Sequence, residues 1–288
     1  MRILLTGGDG QLGTEIKLLA GGDREVIAHD LDLDITDRGA VARRVAEVRP
    51  DIVLNAAAYT DVDGAESDEL AAYRVNALGP QNLALACLAS NVPLMHVSTD
   101  FVFSGEASTP YTEFDAPDPR GVYGRSKYAG EQYVRGLLSR FFICRTSWLY
   151  GVGGGNFVKT MLRAGRTREE VRVVDDQEGS PTYARDLASK LLEIAETGAY
   201  GTYHVSNSGS ITWNRFTRDI FEIAGIDTPV LPVSTAELGR PAPRPRFSTM
   251  RGLALELAGV PPMRPYRTAL EEFLLADLPA WETGEGRP

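Results

Sequence analysis

Cysteine and histidine are scarce in this sequence. The 288 residues include only two cysteines, Cys87 and Cys144, and three histidines, His29, His96 and His204. Both cysteines stand in apolar stretches, so we interpret them as buried free thiols, which suit the reducing cytoplasm. The histidines are scattered without the spacing of metal ligands, so the sequence predicts no metal site.

Long hydrophobic runs and an excess of positive charge are missing as well. No apolar stretch approaches the roughly 20 residues that a membrane helix needs. The formal net charge of −9 argues against nucleic acid as a partner, because binding to phosphates requires a basic face. The first residues, "MRILLTGGDG", lead straight into a strand-like segment, which predicts a cytoplasmic protein without a cleavable signal.

Short runs rich in β-branched residues alternate with longer segments of helical periodicity through the first half of the chain. The strand-like runs are "RILLTGG", "EVIAHD", "DIVLNAA", "PLMHVST" and "FFICRTSWLY". Between them, segments such as "QLGTEIKLLA" and "GRSKYAGEQYVRGLL" have apolar residues near every third or fourth position. Nearly continuous apolar strands separated by helices predict an α/β fold with a doubly wound, Rossmann-type parallel sheet.

The pattern loosens in the second half, where prolines cluster between about residues 226 and 266. We therefore expect a Rossmann domain over residues 1–150 and a smaller, mainly substrate-binding region over 151–288. Segments near 171–206 are expected to return to the first domain, so that the chain crosses between the two more than once. The last residues, "ETGEGRP", are expected to form a frayed tail.

A glycine-rich loop joins the first predicted strand to the first predicted helix. In "ILLTGGDGQLGTEI", Gly7, Gly10 and Gly13 stand where a tight turn brings the backbone close to a diphosphate at a helix N-terminus. The spacing is GxxGxxG, which differs from the commoner GxGxxG, and a glycine triplet alone is weak evidence. In its strand–loop–helix context, the loop predicts dinucleotide binding.

Asp30 follows the second predicted strand, where an acidic side chain can hold ribose hydroxyls and repel a 2′-phosphate. No arginine or lysine lies between Glu25 and Asp37 to bind that phosphate. The sequence therefore favours NADH slightly over NADPH. The alternative is that Asp30 is a solvated loop residue.

The segment "GVYGRSKYAGEQ" places Tyr123 and Lys127 four residues apart on one face of a predicted helix. Taken alone, such a pair is structural more often than catalytic. Reduction of a ketone needs a proton at oxygen, however, and a nearby ammonium lowers the pKa of a tyrosine from about 10. Thr99 ends the fourth predicted strand and has a short hydroxyl for the same oxygen. In a dinucleotide-binding fold we interpret the three residues as a catalytic set, with Lys127 also bound to the nicotinamide ribose.

Longer segments extend this pattern, namely "NAAAYTDVDGAE", "VSTDFVFSG", "RTSWLYG", "NFVKTMLR" and "DDQEGSPT". With the glycine loop and the Tyr–Lys pair, they make nearly the whole chain resemble the extended short-chain dehydrogenase/reductases. Within that superfamily, the chain resembles the dTDP-4-dehydrorhamnose reductase family. The resemblance implies a nicotinamide cofactor, NADH or NADPH, and a dTDP-linked 4-keto-6-deoxysugar as substrate.

The resemblance also implies roles for individual residues. Thr99, Tyr123 and Lys127 match the family's catalytic Ser/Thr, Tyr and Lys. Trp148 and the pair formed by Thr99 and Asp100 match residues that hold the sugar nucleotide. The positions that match the family's cofactor site are Gly10, Gln11, Leu12, Asp30, Asp34, Ile35, Ala58, Tyr59 and Thr60.

Three further predictions of substrate contacts have structural alternatives. Trp148 offers a stacking face for a sugar or base, or is a core tryptophan. Asn156 forms a hydrogen bond to the sugar nucleotide, or adopts a left-handed turn after the preceding glycines. Arg240, Arg244 and Arg246 alternate with prolines, and at least one, for which we take Arg244, is expected to contact a diphosphate. The alternative is a stiff, solvated loop.

The leading interpretation is a reductase that sets the C4 stereocentre of a dTDP-4-keto-6-deoxyhexose. The enzymatic alternative is a dehydratase or an epimerase of the same superfamily, of which dehydration is disfavoured because Asp100 is followed by Phe101, with no glutamate beside the aspartate. Phe101 also departs from the tyrosine of many family members, which removes a hydroxyl beside the sugar. A regulatory subunit that binds a dinucleotide is disfavoured by the intact Thr99, Tyr123 and Lys127. The sequence leaves three questions open: which sugar is reduced, whether it belongs to a cell-wall rhamnose route or an antibiotic-type route, and whether the protein forms a homodimer.

Overall fold

The computed structural model describes residues 1–283, and its centre is a parallel sheet of six strands. The spatial order is β10-β5-β4-β3-β1-β2, which is a doubly wound arrangement, so the predicted fold class is confirmed. The strands of this sheet are β1 (Arg2–Thr6), β2 (Glu25–His29), β3 (Ile52–Asn55), β4 (Leu94–Thr99), β5 (Phe141–Thr146) and β10 (Gly201–His204).

Helices cover both faces of the sheet, because successive side chains of each strand point to opposite faces. On β1, Ile3 and Leu5 belong to the core under α1 and α8, whereas Leu4 belongs to the core under α2, α5 and α6. The helices are α1 (Gln11–Leu18), α2 (Arg38–Val48), α3 (Val62–Ser67), α4 (Glu69–Tyr73), α5 (Gly79–Ser90), α6 (Val122–Leu137), α7 (Phe157–Thr167), α8 (Ala184–Thr197), α9 (Trp213–Ala224), α10 (Thr235–Leu238), α11 (Leu253–Leu257), α12 (Tyr266–Glu272) and α13 (Leu278–Thr283).

The second half of the chain builds its own apolar core and also contributes to the central sheet. Helix α8 packs on α1, and β10 pairs in parallel with β5. Strand β7, by contrast, pairs with β12 outside the sheet. The smaller strands, which form three two-stranded pairs, are β6 (Leu149–Tyr150), β7 (Val171–Val174), β8 (Glu178–Gly179), β9 (Thr182–Tyr183), β11 (Ile211–Thr212) and β12 (Val230–Val233).

The register of the central strands gathers polar side chains at one edge. Thr6 pairs with Asn55, and Asn55 pairs with His96. Asn55 Oδ1 accepts hydrogen bonds from the Thr6 hydroxyl at 2.8 Å and from the Ala57 backbone amide at 3.1 Å. This buried row fixes the chain as it leaves β3, directly beneath the carboxyl edge of the sheet.

The segment "DELAAYRVNALGPQNLALACLAS", residues 68–90, does not form one uninterrupted α-helix. Helix α4 runs into a π-helical turn, Arg74–Leu78, before α5 begins. Pro80 stands in the first turn of α5, where its missing N–H removes no interior hydrogen bond. The π turn positions Asn76, whose amide accepts from the Tyr59 amide at 2.9 Å and donates to the Ser126 hydroxyl at 3.1 Å.

The structure also bears on the expectations for the cysteines, for membrane-spanning helices and for the C-terminal tail. Cys87 and Cys144 are buried and free, as predicted, and burial raises the pKa of the Cys87 thiol to about 12. Between residues 1 and 283, no helix combines the length and hydrophobicity needed to cross a membrane. Of the predicted tail, Glu282 and Thr283 complete α13, and residues 284–288 lie outside the described part of the chain.

Candidate active site

A cavity of about 870 Å³ opens at the carboxyl edge of the central sheet. Such an edge is where doubly wound sheets bind their ligands. Most of the residues singled out in the sequence line it, and they come from six separate segments. These lining residues are Gly7, Gly10, Gln11, Leu12, Gly13, Asp30, Asp34, Ile35, Ala58, Tyr59, Thr60, Thr99, Asp100, Tyr123, Lys127 and Trp148.

The glycine loop forms a close-packed cradle on one side of this cavity. Gly7 has a φ of +74°, in the left-handed region that favours glycine. A Cβ on Gly13 would lie 2.2 Å from the Gly7 carbonyl oxygen, so α1 approaches the loop at a distance only glycine allows. Gly10 is the N-cap of α1 and provides no side-chain hydrogen bond. The first N–H groups of the helix are thus open to an anion such as a diphosphate.

Gly13→Ala is expected to weaken dinucleotide binding by roughly tenfold or more, because relieving the clash requires a backbone shift in the loop. Fluorescence titration with NADPH gives the Kd. Gly136→Ala is a matched control, since an added Cβ there meets nothing within 4 Å. Equal affinities of the two variants would contradict the assignment of this loop to the cofactor.

The far end of the cavity carries the residues expected near the adenosine. Asp30 Oδ1 accepts a 3.4 Å hydrogen bond from the Asp9 amide. The fold also brings Arg44 from α2 to the end of β2, where its Nε donates to His29 Nε2 at 2.7 Å. The absence of a basic residue between Glu25 and Asp37 therefore does not exclude one near the end of β2. The choice between NADH and NADPH stays a prediction.

Thr99, Tyr123 and Lys127 converge from the end of β4 and the first two turns of α6. The Thr99 hydroxyl donates to Asp100 Oδ1 at 3.0 Å, and the Tyr123 ring packs edge-on against Phe101, with centroids 5.4 Å apart. Lys127 is buried, and its ammonium donates to the Val97 carbonyl at 2.6 Å. The side chains of the predicted catalytic set therefore face one cavity.

Burial dominates the electrostatics of this set. It raises the pKa of Tyr123 to about 12, which the Thr99 hydroxyl offsets only in part. This corrects the expectation that Lys127 holds the tyrosine pKa below 10, because the ammonium is directed to a backbone carbonyl. Burial also lowers the pKa of Lys127 to about 8, against the opposing effect of Glu131, and raises that of Asp100 to about 6.

Trp148 forms a wall between the two halves of the molecule. Its ring stacks on Trp213 with centroids 3.5 Å apart and planes 6° from parallel. The backbone of Trp148 is left-handed, with φ +48°, a conformation that is costly for a bulky residue. A Cβ on Gly179 would lie 2.6 Å from the ring, so the indole also packs closely there. Trp148 thus combines packing on one face with a place in the cavity wall.

Asn156 is not brought to the cavity. Its Oδ1 accepts from the Lys159 amide at 3.0 Å as the N-cap of α7, and its Nδ2 donates to the Gly151 carbonyl at 2.8 Å. Its φ of −152° is extended, so the left-handed turn is wrong. Both polar groups serve the local backbone, and a contact with the sugar nucleotide stays a prediction.

A second cavity, of about 240 Å³, adjoins the Trp213 face of the tryptophan pair. Phe157 and Trp213 supply apolar walls, and Arg240 and Arg244 lie at the rim with the amide of Gln177. Arg244 therefore lines this cavity and not the larger one. Arg246 lines neither.

Sequence reasoning missed the contacts that hold α6 in place. Arg145 on β5 forms a two-point ion pair with Glu131 on α6, at 2.9 and 2.7 Å, and both side chains are buried. Glu66 of α3 accepts from the Val122 amide at the start of α6, at 2.8 Å. The available signal was the position of Glu131, one helical turn beyond Lys127, but nothing in the sequence identifies its partner.

A family model described as "RmlD substrate binding domain" matches residues 1–278. A dTDP-4-dehydrorhamnose reductase of Mycobacterium tuberculosis strain H37Rv is 44% identical over 284 residues, covering 96% of this chain and 93% of the relative. A dTDP-4-keto-6-deoxy-D-glucose reductase of Streptomyces niveus is 41% identical over 275 residues, covering 94% and 96%.

A solved structure extends this similarity to three dimensions. The dTDP-4-dehydrorhamnose reductase of Bacillus anthracis, in complex with NADP, matches with a TM-score of 0.94 and 45% identity. The match covers 95% of this chain and 98% of the other. The predicted family is therefore confirmed, and the chain belongs to the RmlD substrate binding domain family, that of the dTDP-4-dehydrorhamnose reductases.

Proposed function

We propose that this protein is an NAD(P)H-dependent reductase of the C4 keto group of a dTDP-4-keto-6-deoxyhexose. The observation that carries the proposal is the convergence of Thr99, Tyr123 and Lys127 beside the glycine cradle in one cavity. A module that only bound a dinucleotide would not need all three groups. The substrate class comes from the names of the relatives, which reduce dTDP-linked keto sugars.

The cavity fits a nicotinamide dinucleotide. The cradle of Gly7, Gly10 and Gly13 accommodates a diphosphate at the start of α1, and Asp30 lies where a ribose would be held. Ala58, Tyr59 and Thr60 would form the side wall, with Asn76 holding the Tyr59 backbone in place. When bound, the reduced nicotinamide supplies the hydride.

Tyr123 delivers the proton in this proposal. With its pKa raised to about 12, its hydroxyl is protonated at neutral pH and can donate to the keto oxygen as that oxygen gains charge. The Lys127 ammonium, one helical turn away, would stabilise the tyrosinate that remains, for which it must turn from the Val97 carbonyl. Thr99 orients the same oxygen, for which its hydroxyl must turn from Asp100 towards the substrate.

The sugar would occupy the large cavity near Trp148, and the nucleotide would extend past the tryptophan pair into the second cavity. Its apolar walls suit a base, and Arg244 at its rim suits a diphosphate. A cytoplasmic location and a homodimer stay proposals from the sequence.

The direct test is oxidation of NADPH and NADH with freshly generated dTDP-4-keto-6-deoxy-L-hexose, followed by NMR of the product. We expect turnover and a sugar reduced at C4, whose stereochemistry the NMR defines. Tight cofactor binding without turnover of this or the D-series keto sugar would contradict the proposal. That result would favour a regulatory subunit, and release of water or an epimerised ketone would favour a dehydratase or epimerase.

A further inference from the structure

The short helix α3 connects three parts of the candidate site. On one side, the Tyr59 hydroxyl lies so close to Gly64 that a Cβ there would be 2.8 Å from it. On another, Glu66 holds the Val122 amide at the start of α6. On the third, Asp63 binds the proline-rich segment that carries Arg244. Asp63 and Glu66 are three residues apart, so both carboxylates project from one face of the helix.

Asp63 organises this segment through all its acceptor positions. Its Oδ1 accepts from Arg244 Nη1 at 2.9 Å and from the Ala242 amide at 3.2 Å. Its Oδ2 accepts from Arg244 Nη2 at 2.9 Å and from Arg240 Nη1 at 3.3 Å. These contacts, with Arg244 foremost, lower the pKa of Asp63 to about 2, so the carboxylate stays ionised at neutral pH.

The hydrogen bonds of Arg244 leave one edge of its guanidinium available. Nη1 donates to Asp63 and to the Ala242 carbonyl, and Nη2 donates once to Asp63. Of the five N–H donors of an arginine, this leaves the Nε–H and the second Nη2–H, which lie side by side. Neither has a partner among residues 1–283, and Arg244 lines the second cavity. Two adjacent donors match two oxygens of a phosphate.

We propose that Asp63 is a positioning residue for substrate, which holds Arg244 so that its free Nε/Nη2 edge receives the diphosphate of the nucleotide sugar. This inference rests on the proposed function for the identity of the substrate. The same helix anchors the catalytic helix through Glu66, and Pro243 lies against Gly121, the N-cap of α6. Helix α3 therefore holds in place both the proposed diphosphate site at Arg244 and the helix that carries Tyr123.

The test compares binding of dTDP, measured by calorimetry, to the wild type, Asp63→Asn, Arg244→Ala and the double variant. We expect Asp63→Asn to weaken dTDP binding about tenfold, because the free edge is no longer held in place. In the Arg244→Ala background the same change should have no further effect. With the keto sugar, KM should rise by the same factor while kcat at saturation and the Kd of NADPH are unchanged.

Glu256→Gln is the matched control, since it removes a two-point pair with Arg251 at 2.9 and 2.6 Å, outside both cavities. If Asp63→Asn fails to fold, Arg244→Lys is measured in its place. It keeps the positive charge but loses the free Nε/Nη2 edge, so it should weaken dTDP binding by a similar factor. Additive effects in the double variant, or wild-type affinity for dTDP in Asp63→Asn, would overturn the inference. A wild type that binds dTDP without reducing the keto sugar would contradict the reductase proposal alone. A wild type that does not bind dTDP would overturn the positioning role of Asp63.

Discussion

Tyr123→Phe is expected to lower kcat by about 10²–10⁴-fold while the Kd of NADPH stays the same. The change removes the hydroxyl that would protonate the keto oxygen and leaves the ring that packs against Phe101. Because burial keeps the wild-type hydroxyl protonated at neutral pH, the group lost is a proton donor rather than a base. Stopped-flow and steady-state measurements with the keto sugar, beside a fluorescence titration of NADPH, separate the two quantities.

Tyr133→Phe provides the control for this experiment. Tyr133 lies on the same helix, ten residues further along, and its side chain is exposed. The same deletion of one hydroxyl should leave kcat and cofactor affinity at their wild-type values. Undiminished turnover in Tyr123→Phe would remove the proton donor from the proposal and transfer that role to Thr99 or to water.

The parts of the site that are local in sequence could be predicted. The strands β1, β3, β4 and β5 are short apolar runs that are largely buried on both faces, whereas the edge strand β2 is only partly buried. Each differs by few residues from the run read in the sequence. The glycine loop was identifiable because a strand, three glycines and a helix follow one another directly. Tyr123 and Lys127 share a helix, so their spacing alone places them on one face.

The parts that could not be predicted depend on partners distant in the chain. Asp63 meets Arg244 across 181 residues, and no periodicity or motif pairs a carboxylate with an arginine at that separation. The tyrosine pKa was misjudged for a related reason, since burial of Tyr123 and the direction of the Lys127 ammonium follow from tertiary packing. The left-handed turn considered for Asn156 was wrong because the residue is the N-cap of α7, whose backbone is extended and whose Oδ1 accepts from the Lys159 amide.

Arg145→Met is expected to lower the free energy of unfolding by about 3–5 kcal/mol. Arg145 is 1% exposed and Glu131 is fully buried, so the substitution removes the two-point partner of a core carboxylate and leaves it only the longer contact with Arg135, at 3.6 Å. Since domains of this kind are stable by roughly 5–15 kcal/mol, the loss is a large fraction of the total. Denaturation by urea, followed by circular dichroism, measures the difference at constant m-value.

The companion variants determine whether the ion pair makes a net contribution to stability or whether each buried charge merely offsets the cost of burying the other. Arg251→Met removes an exposed pair with Glu256 and should change the free energy of unfolding little, because water solvates the carboxylate that remains. Replacing both buried partners, with Arg145→Met and Glu131→Leu, should recover most of the stability, because neither charge of this pair then remains in the core without the other. The double variant should still be less active than the wild type, since Glu131 helps to keep Lys127 protonated from the next helical turn. A loss below 1 kcal/mol in Arg145→Met alone would show that the pair does not fix α6 against β5.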